Sequence, residues 1–131
     1  MIALDTNVLV RYVVADDPEQ AQRAAAFIEG AAERGERLYV PHIVLCELVW
    51  VLARAYRRKR TEIASVITGL LRASQVVVEE PDIPERALER YLNGSADFAD
   101  YLIAERSRAA GCTQVATFDE ELLKDGAFVR P

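Results

Sequence analysis

Short apolar runs that are rich in β-branched residues alternate with segments of helical periodicity, and this alternation constrains the fold most. Four runs predict strands, at residues 2–4, 38–40, 76–78 and 115–117, and a weaker fifth lies at 127–129. Runs without polar alternation suit strands that are buried in a parallel sheet. The pattern therefore predicts an α/β fold with a mostly parallel central sheet flanked by helices.

The segments between the runs predict five helices. Most begin at an Asp or Thr cap that is followed by Pro or Glu, and several end near a Gly. The first helix runs from Asp17 towards Gly30 or Gly35, and the others cover residues 43–56, 61–71, 82–93 and 97–110. Because 131 residues are close to the roughly 150 expected of one domain, we expect residues 1–131 to form a single domain.

Composition excludes several classes of protein. With 51% hydrophobic and 28% charged residues, the chain is typical of a globular domain. Its longest uncharged stretches, residues 38–46 and 109–118, are shorter than the ~18 apolar residues that a membrane span requires. Asp5 precedes every basic residue, unlike the basic start of a secretory signal. We therefore expect a cytoplasmic protein with no membrane segment.

Five acidic residues occur where a carboxylate is unusual. Asp5 directly follows a predicted strand and Asp119 ends the run 115–118, so both occupy strand ends, which is where open α/β sheets place their ligands. Glu47 interrupts a helix that is apolar nearly all round and is predicted to be buried, so its carboxylate must be paired, protonated or bound to a metal. Asp100 repeats this pattern, and Asp97 precedes it by three residues, on the same predicted helical face. These acids can converge at the carboxyl edge of the sheet.

Each acid also has an ordinary structural interpretation. Asp97 and Asp119 suit helix N-caps, and Asp5 suits a turn. For the acids inside apolar helices, the alternative is a buried ion pair with Arg11 or Arg106. These interpretations stay open, but they explain each acid separately and leave the joint placement unexplained.

A cluster of carboxylates favours a hard divalent cation. Close like charges raise one another's pKa unless a cation is present, and all-oxygen ligands select Mg²⁺ or Mn²⁺ over zinc. His42, the only histidine, has an apolar setting that favours a structural role, and Cys46 and Cys112 are predicted to be buried. Such a metal site suits phosphoryl chemistry, in which the ion activates water and stabilises charge on a phosphodiester.

A basic run contrasts with the net charge of −5. Five of the seven residues at 54–60 are positive, namely Arg54, Arg57, Arg58, Lys59 and Arg60. Tyr56 is placed to stack on a base beside them. The run is a weak signal for phosphate binding, and the alternative is a solvated helix end that complements the helix dipole.

Four motifs resemble those of PIN-domain ribonucleases and, within that family, the VapC-type toxins of bacterial and archaeal toxin–antitoxin pairs. The motifs are residues 1–9 around Asp5, residues 41–52 around Glu47, residues 97–102 with Asp97 and Asp100, and residues 117–119 ending at Asp119. They occur in the family's order and span essentially the whole chain. Each motif is short, but the four together are specific.

The resemblance implies a site, an activity and partners. Asp5, Glu47, Asp100 and Asp119 would be the metal ligands and catalytic residues, Asp97 a further ligand or a helix cap, and Asn7 and Thr117 supporting polar groups. The basic run would bind RNA. The resemblance also implies endonucleolytic cleavage of RNA that depends on Mg²⁺ or Mn²⁺, a homodimer, and neutralisation by a cognate antitoxin.

Two other classes of function stay open. A non-catalytic PIN-like module would use the basic run to bind RNA or a protein partner, and loss of an acid would favour it. A phosphoacceptor α/β domain would be phosphorylated on a strand-end Asp, but Asn7 stands where a second Asp is expected, and the order of the acids does not fit a receiver domain. The presence of all four motifs favours the ribonuclease.

Overall fold

Strands and helices alternate along the chain, as the sequence predicts. The computed structural model describes all 131 residues, in two units, residues 1–81 and 82–131. Unit 1 contains β1 (Ile2–Ala3), α1 (Thr6–Val13), α2 (Pro18–Glu29), β2 (Leu38–Val40), α3 (His42–Arg54), α4 (Arg60–Arg72) and β3 (Val76–Val78). Unit 2 contains α5 (Asp82–Asn93), α6 (Phe98–Ala109), β4 (Val115–Ala116), a 3-10 turn (Leu122–Lys124) and β5 (Phe128–Val129).

All the strand pairs are parallel. In unit 1 the strand order is β1-β2-β3, with Ile2 opposite Leu38 and Val40 opposite Val78, and in unit 2 β4 pairs with β5. The α/β class and its five strands are therefore confirmed, and the strands divide between two sheets. The expectation of buried strands is wrong for β1, because it is an edge strand whose Ile2 is 45% exposed.

The core of unit 1 lies between its sheet and its helices. Helix α4 packs against β3, and α3 packs against both α1 and α4. The fully buried side chains include Leu9, Leu38, Leu45, Leu52 and Ile67, and each such side chain contributes about 1.5–3 kcal/mol by leaving water. None of the six α-helices of the chain has the length and apolar character that a membrane crossing demands.

Helix α1 is absent from the sequence prediction. Val8, Leu9 and Val10 form an aliphatic run that resembles a continuation of the first strand. The chain nevertheless turns at Asp5, whose carboxylate accepts the Thr6 N–H at 2.9 Å and caps α1. The burial of Leu9 and Val10 then stabilises the helix despite its β-branched residues.

In unit 2, a tight turn joins α5 to α6. The rings of Tyr91 and Phe98 meet edge to face, with centroids 5.9 Å apart. The Tyr101 hydroxyl accepts the Ala96 N–H at 3.2 Å, and a Cβ added at Gly94 would overlap that hydroxyl. Glycine is therefore required at position 94 for the turn to approach the first turns of α6.

A network of ion pairs holds α5, α6 and the end of the 3-10 turn together. Glu105 of α6 is buried and pairs with Arg86 at 3.2 Å and Arg90 at 3.3 Å. Arg90 also pairs with Asp125, and its guanidinium lies 5.1 Å from the centroid of the Tyr101 ring. Because Glu105 is almost fully removed from water, these partners are what make its burial tolerable.

Candidate active site

Asp5 lies at the junction of β1 and α1, at the carboxyl edge of the unit 1 sheet. Its side chain is exposed apart from the hydrogen bond that caps α1. The neighbouring Thr6 hydroxyl is buried and has no hydrogen-bond partner. An unsatisfied buried oxygen beside a carboxylate is an environment that an ion or a water molecule would improve.

His42 and Glu79 organise the same edge of the sheet. The His42 N–H donates to Glu79 Oε1 at 2.8 Å, and the His42 ring Nε2 lies 2.5 Å from the Glu79 carbonyl oxygen. His42 is only 3% exposed. These contacts fix the start of α3 beside the end of β3. They agree with the structural role predicted for His42.

Glu47 is exposed, and the prediction that its helix is buried all round is wrong. It shares one face of α3 with Ile43 and Trp50, which are 67% and 60% exposed. Residue types alone do not reveal this, because the face carries apolar side chains. Glu47 lies five residues after His42, about 7.5 Å along α3 from the sheet edge. The ion pair with Arg11 is not formed, because Arg11 pairs with Asp16 at 2.9 Å.

Asp97 and Asp100 meet at the start of α6. Asp97 occupies the N-cap with an extended backbone, and Asp100 Oδ2 accepts the Asp97 N–H at 3.1 Å. The two residues are therefore linked by a capping box, in which each side chain accepts the other residue's backbone N–H, and they do not lie along a continuous helical face. The N-cap alternative for Asp97 is confirmed, and its role towards a metal stays a prediction.

Asp119 follows β4, and its carboxylate holds the backbone at the start of the 3-10 turn, whose N-cap is Glu121. Its Oδ1 accepts the N–H groups of Glu121 at 2.9 Å and Leu122 at 3.4 Å. Its own N–H donates to Thr117 Oγ1 at 3.1 Å. Thr117 therefore orients the backbone that carries the Asp119 carboxylate, and the supporting role that the resemblance implies for it stays a prediction.

The three acids of unit 2 influence one another electrostatically. Partial burial raises the pKa of the Asp100 carboxyl above its usual value, and the charges of Asp97 and Asp119 raise it further, although the hydrogen bond from Asp97 opposes them. No three His, Cys, Asp or Glu side chains lie close enough together to hold a metal ion as they stand. The donors at the four motifs are nevertheless all oxygens, which fits Mg²⁺ or Mn²⁺.

The basic run forms the connection between α3 and α4. Arg54 ends α3, and Arg57 has a left-handed φ of +51°, which is uncommon for a residue with a side chain. Lys59 is the N-cap of α4, and its N–H donates to Glu62 Oε1 at 3.1 Å. Arg58 approaches the same carboxylate at 3.8 Å, and Arg60 begins α4. The cations are thus displayed on a loop and on the two helix ends beside it.

Tyr56 connects the basic run to α1. Its hydroxyl donates to Asp16 Oδ2 at 2.8 Å, while Arg11 donates to Asp16 Oδ1 at 2.9 Å. The Tyr56 hydroxyl, followed by Arg11, lowers the pKa of the Asp16 carboxyl. Stacking of Tyr56 on a base stays a prediction. It would have to occur while the Tyr56 hydroxyl keeps its hydrogen bond to Asp16.

The structure contains a cleft between α1 and α2 that was not predicted from the sequence. We call it the α1–α2 cleft. Its volume is about 450 Å³, and its lining residues are Asn7, Val8, Arg11, Gln20, Arg23, Ala24 and Phe27. Residues 20, 23, 24 and 27 have the spacing of one helical face. The polar and aromatic side chains on this face of α2 are the sequence signal from which a cleft could have been predicted.

The two cysteines differ from expectation. Cys46 is half-buried, and Cys112 is exposed. The prediction of burial is wrong for Cys112 because it follows Gly111, whose φ of +96° turns the chain away from the end of α6. Neither thiol belongs to a metal cluster.

Comparison with known proteins identifies the family. The model of the PIN domain family matches residues 2–128, so the chain belongs to the PIN domain family, and the match includes all four acidic motifs. The chain is similar to the VapC ribonuclease of Aquifex aeolicus (strain VF5), with 29% identity over 126 residues that make up 96% of this chain and 93% of that protein. The resemblance drawn from the motifs is confirmed.

Proposed function

We propose that this protein is an endoribonuclease that depends on Mg²⁺ or Mn²⁺ and acts in the cytoplasm as the toxin of a type II toxin–antitoxin pair. The observation that carries the proposal is the PIN family match over residues 2–128, which includes every acid of the four motifs. The similarity to a VapC ribonuclease over 96% of the chain supports the ribonuclease activity.

The proposed site consists of Asp5, Glu47, Asp100 and Asp119 as catalytic residues and metal ligands. When bound, the divalent ion would activate water and stabilise the charge that develops on the phosphodiester. The exposure of Asp5, Glu47 and Asp119 supports this assignment, because ligands must be reachable by solvent and substrate. Their existing hydrogen bonds would hold the carboxylates of Asp5 and Asp119 in place before the ion binds.

Three polar residues support these carboxylates in the proposal. Asp97 caps α6 and, through its N–H, orients Asp100, and it is also a candidate ligand. Thr117 accepts the Asp119 N–H. Asn7 lies in the first turn of α1, two residues after Asp5, and is exposed. We propose that it positions water or substrate beside Asp5.

The basic run would bind the RNA backbone. Arg54, Arg57, Arg58, Lys59 and Arg60 place positive charge on a protein with a net charge of −5. Local attraction of this kind explains how an acidic protein binds a polyanion. Glu62 offsets part of the charge of Arg58, so Arg54 and Arg57 would contribute more to binding than Arg58.

A homodimer and a cognate antitoxin complete the proposal. Ile43 and Trp50 on α3, Leu92 on α5 and Ile103 on α6 are each about half exposed or more, which supports contact with protein partners. Sedimentation equilibrium of the purified chain over a concentration series tests the homodimer. A monomer mass at every concentration would contradict it.

A non-catalytic PIN-like binding module is the second candidate. The observation that favours it is that no three potential ligands already lie at metal-binding distance. Such a module would bind RNA equally well in the presence and absence of a divalent ion, and it would cut none.

The deciding experiment is cleavage of structured RNA by the purified, antitoxin-free protein across a titration of Mn²⁺ and Mg²⁺, with EDTA as the metal-free control. We expect cleavage that requires the ion and that is lost in Asp100→Asn. The matched control is Asp17→Asn, because Asp17 also caps a helix, accepts the Gln20 N–H at 3.1 Å, and lies outside the four motifs and the basic run. RNA that stays intact in every metal while still binding would support the binding module.

A further inference from the structure

We propose that the α1–α2 cleft binds an unstacked nucleotide of a single-stranded RNA segment. The inference rests on the proposed function, because it assigns a subsite to the same substrate. The cleft is lined by Arg11 and Arg23, by the amides of Asn7 and Gln20, and by the Phe27 ring. Cations for phosphates, amides for base edges and an aromatic ring for stacking are the groups that single-stranded RNA requires.

The two arginines of the cleft differ in how they are held. Arg11 is fixed by its ion pair with Asp16 at 2.9 Å, so its guanidinium is positioned before any ligand arrives. Arg23 is exposed on α2. Because Asp16 offsets part of the charge of Arg11, Arg23 would supply most of the attraction for a phosphate, and the positioned Arg11 guanidinium would contact a second group of the same strand.

Phe27 is held as a stacking surface. Its ring is 37% exposed, and the Arg34 guanidinium lies 5.0 Å from the ring centroid. Arg34 is itself fixed, because it donates to the Phe27 carbonyl oxygen at 2.6 Å. A base that stacks on the part of the ring that lines the cleft would leave this cation in place.

The cleft is linked to a proposed catalytic residue along the chain and to the basic run through hydrogen bonds. Asn7, which lines it, is two residues from Asp5. Arg11, which also lines it, is connected through Asp16 to Tyr56 within the basic run. We therefore expect an RNA strand that is bound by the basic run to occupy the cleft as well.

A polypeptide segment is the competing occupant of the cleft. The lining favours RNA because two arginines and an aromatic ring serve phosphates and bases together, and because Arg11 is linked through Asp16 to Tyr56 of the basic run. A peptide would use only the apolar part of the lining.

The test measures the binding of a fluorescein-labelled oligouridine of about twelve nucleotides by fluorescence anisotropy, in EDTA and over a series of salt concentrations. We expect Arg23→Ala to weaken binding about three- to tenfold and to reduce the slope of log K against log salt by about 0.7. Phe27→Leu should weaken binding about five- to tenfold without changing that slope, since stacking releases no counterions. Arg72→Ala, at an exposed arginine of α4 outside the cleft, is the matched control and should leave both quantities unchanged.

Circular dichroism and melting temperature verify that each variant is folded. If Arg23→Ala and Phe27→Leu bind the oligouridine as the wild type does, the proposal is overturned and the cleft is left to a polypeptide. Because binding is measured without metal, the result is independent of cleavage. A wild type that cuts no RNA but shows the expected losses would contradict the nuclease and retain the subsite.

Discussion

At the scale of single residues, the carboxylates of this protein serve the backbone before they serve any ligand. Asp5 caps α1, Asp97 occupies the N-cap of α6, and Asp119 accepts two backbone N–H groups at the start of the 3-10 turn. The structural and functional interpretations of these acids are therefore compatible. A capping carboxylate is held at a defined position, and its remaining lone pairs are free for an ion.

The substitution Asp5→Asn separates the two roles. Asparagine caps helices about as well as aspartate, so we expect the free energy of unfolding to change by less than about 0.5 kcal/mol. Loss of the negative ligand should reduce RNA cleavage more than about a hundredfold. Urea denaturation and the cleavage assay measure these quantities. The matched control is Asp17→Asn, since Asp17 caps α2 by the same type of bond and lies in none of the motifs. Cleavage at the wild-type rate would remove Asp5 from the catalytic site.

Asp100→Asn should stabilise the protein at neutral pH. Since the folded pKa of Asp100 is raised, ionising this group lowers stability as the pH rises above the unfolded value of about 3.9. The asparagine oxygen can still accept the Asp97 N–H. We therefore expect a higher melting temperature at pH 7 and a gain that disappears at about pH 3. A variant that is less stable than the wild type at pH 7 would contradict this. It would show that the Asp100 carboxylate stabilises the fold as a cap by more than its burial and the repulsion from Asp97 and Asp119 destabilise it.

At the scale of elements, the positions of the strands and of five helices follow from the sequence, because short β-branched runs and capping residues are local signals. Helix α1 did not follow, since its Val8–Leu9–Val10 core has strand propensity and tertiary burial decides its conformation. The division of the strands into two sheets also could not be predicted, because strand pairing depends on contacts distant in sequence.

The candidate site follows from the sequence only as a set of residues, and their roles stay a prediction. The sequence pattern singles out the acids because each is unusual in its local setting, and the family match spans all of them. The exposure of Glu47 and the α1–α2 cleft depend on how helices pack, and no window of sequence contains that information.

The turn before α6 makes Gly94 a sensitive position. A methyl group there would overlap the Tyr101 hydroxyl, so we expect Gly94→Ala to destabilise the protein by about 1–3 kcal/mol. Tyr101→Phe should partly relieve the overlap, so the double variant should lose less stability than the sum of the single variants, as a double-mutant cycle by urea denaturation will measure. Gly126→Ala, with open space around the added methyl group, is the control. Additive losses would show that the clash does not occur.

At the scale of the whole molecule, a bound cation should stabilise the fold. With a divalent ion at about a hundred times its dissociation constant, linkage predicts about 2.7 kcal/mol, or a rise in melting temperature of about 10 °C for a chain of this size. The rise should be largely absent in Asp5→Asn, and Asp17→Asn should retain it. Thermal scans with and without Mn²⁺ detect this without any assay of activity. An identical melting temperature across the titration would argue against a metal site at these acids.

The left-handed backbone at Arg57 implies a trade-off between folding stability and positive charge at this position. A glycine there would remove a conformational penalty of about 1–2 kcal/mol, part of which its greater unfolded-state entropy would cancel. A library that is randomised at this codon and sorted for thermal resistance should therefore enrich glycine, while sorting for RNA degradation should restore arginine. The divergence between the two enriched populations would measure how much folding stability the chain relinquishes to keep one cation on its surface.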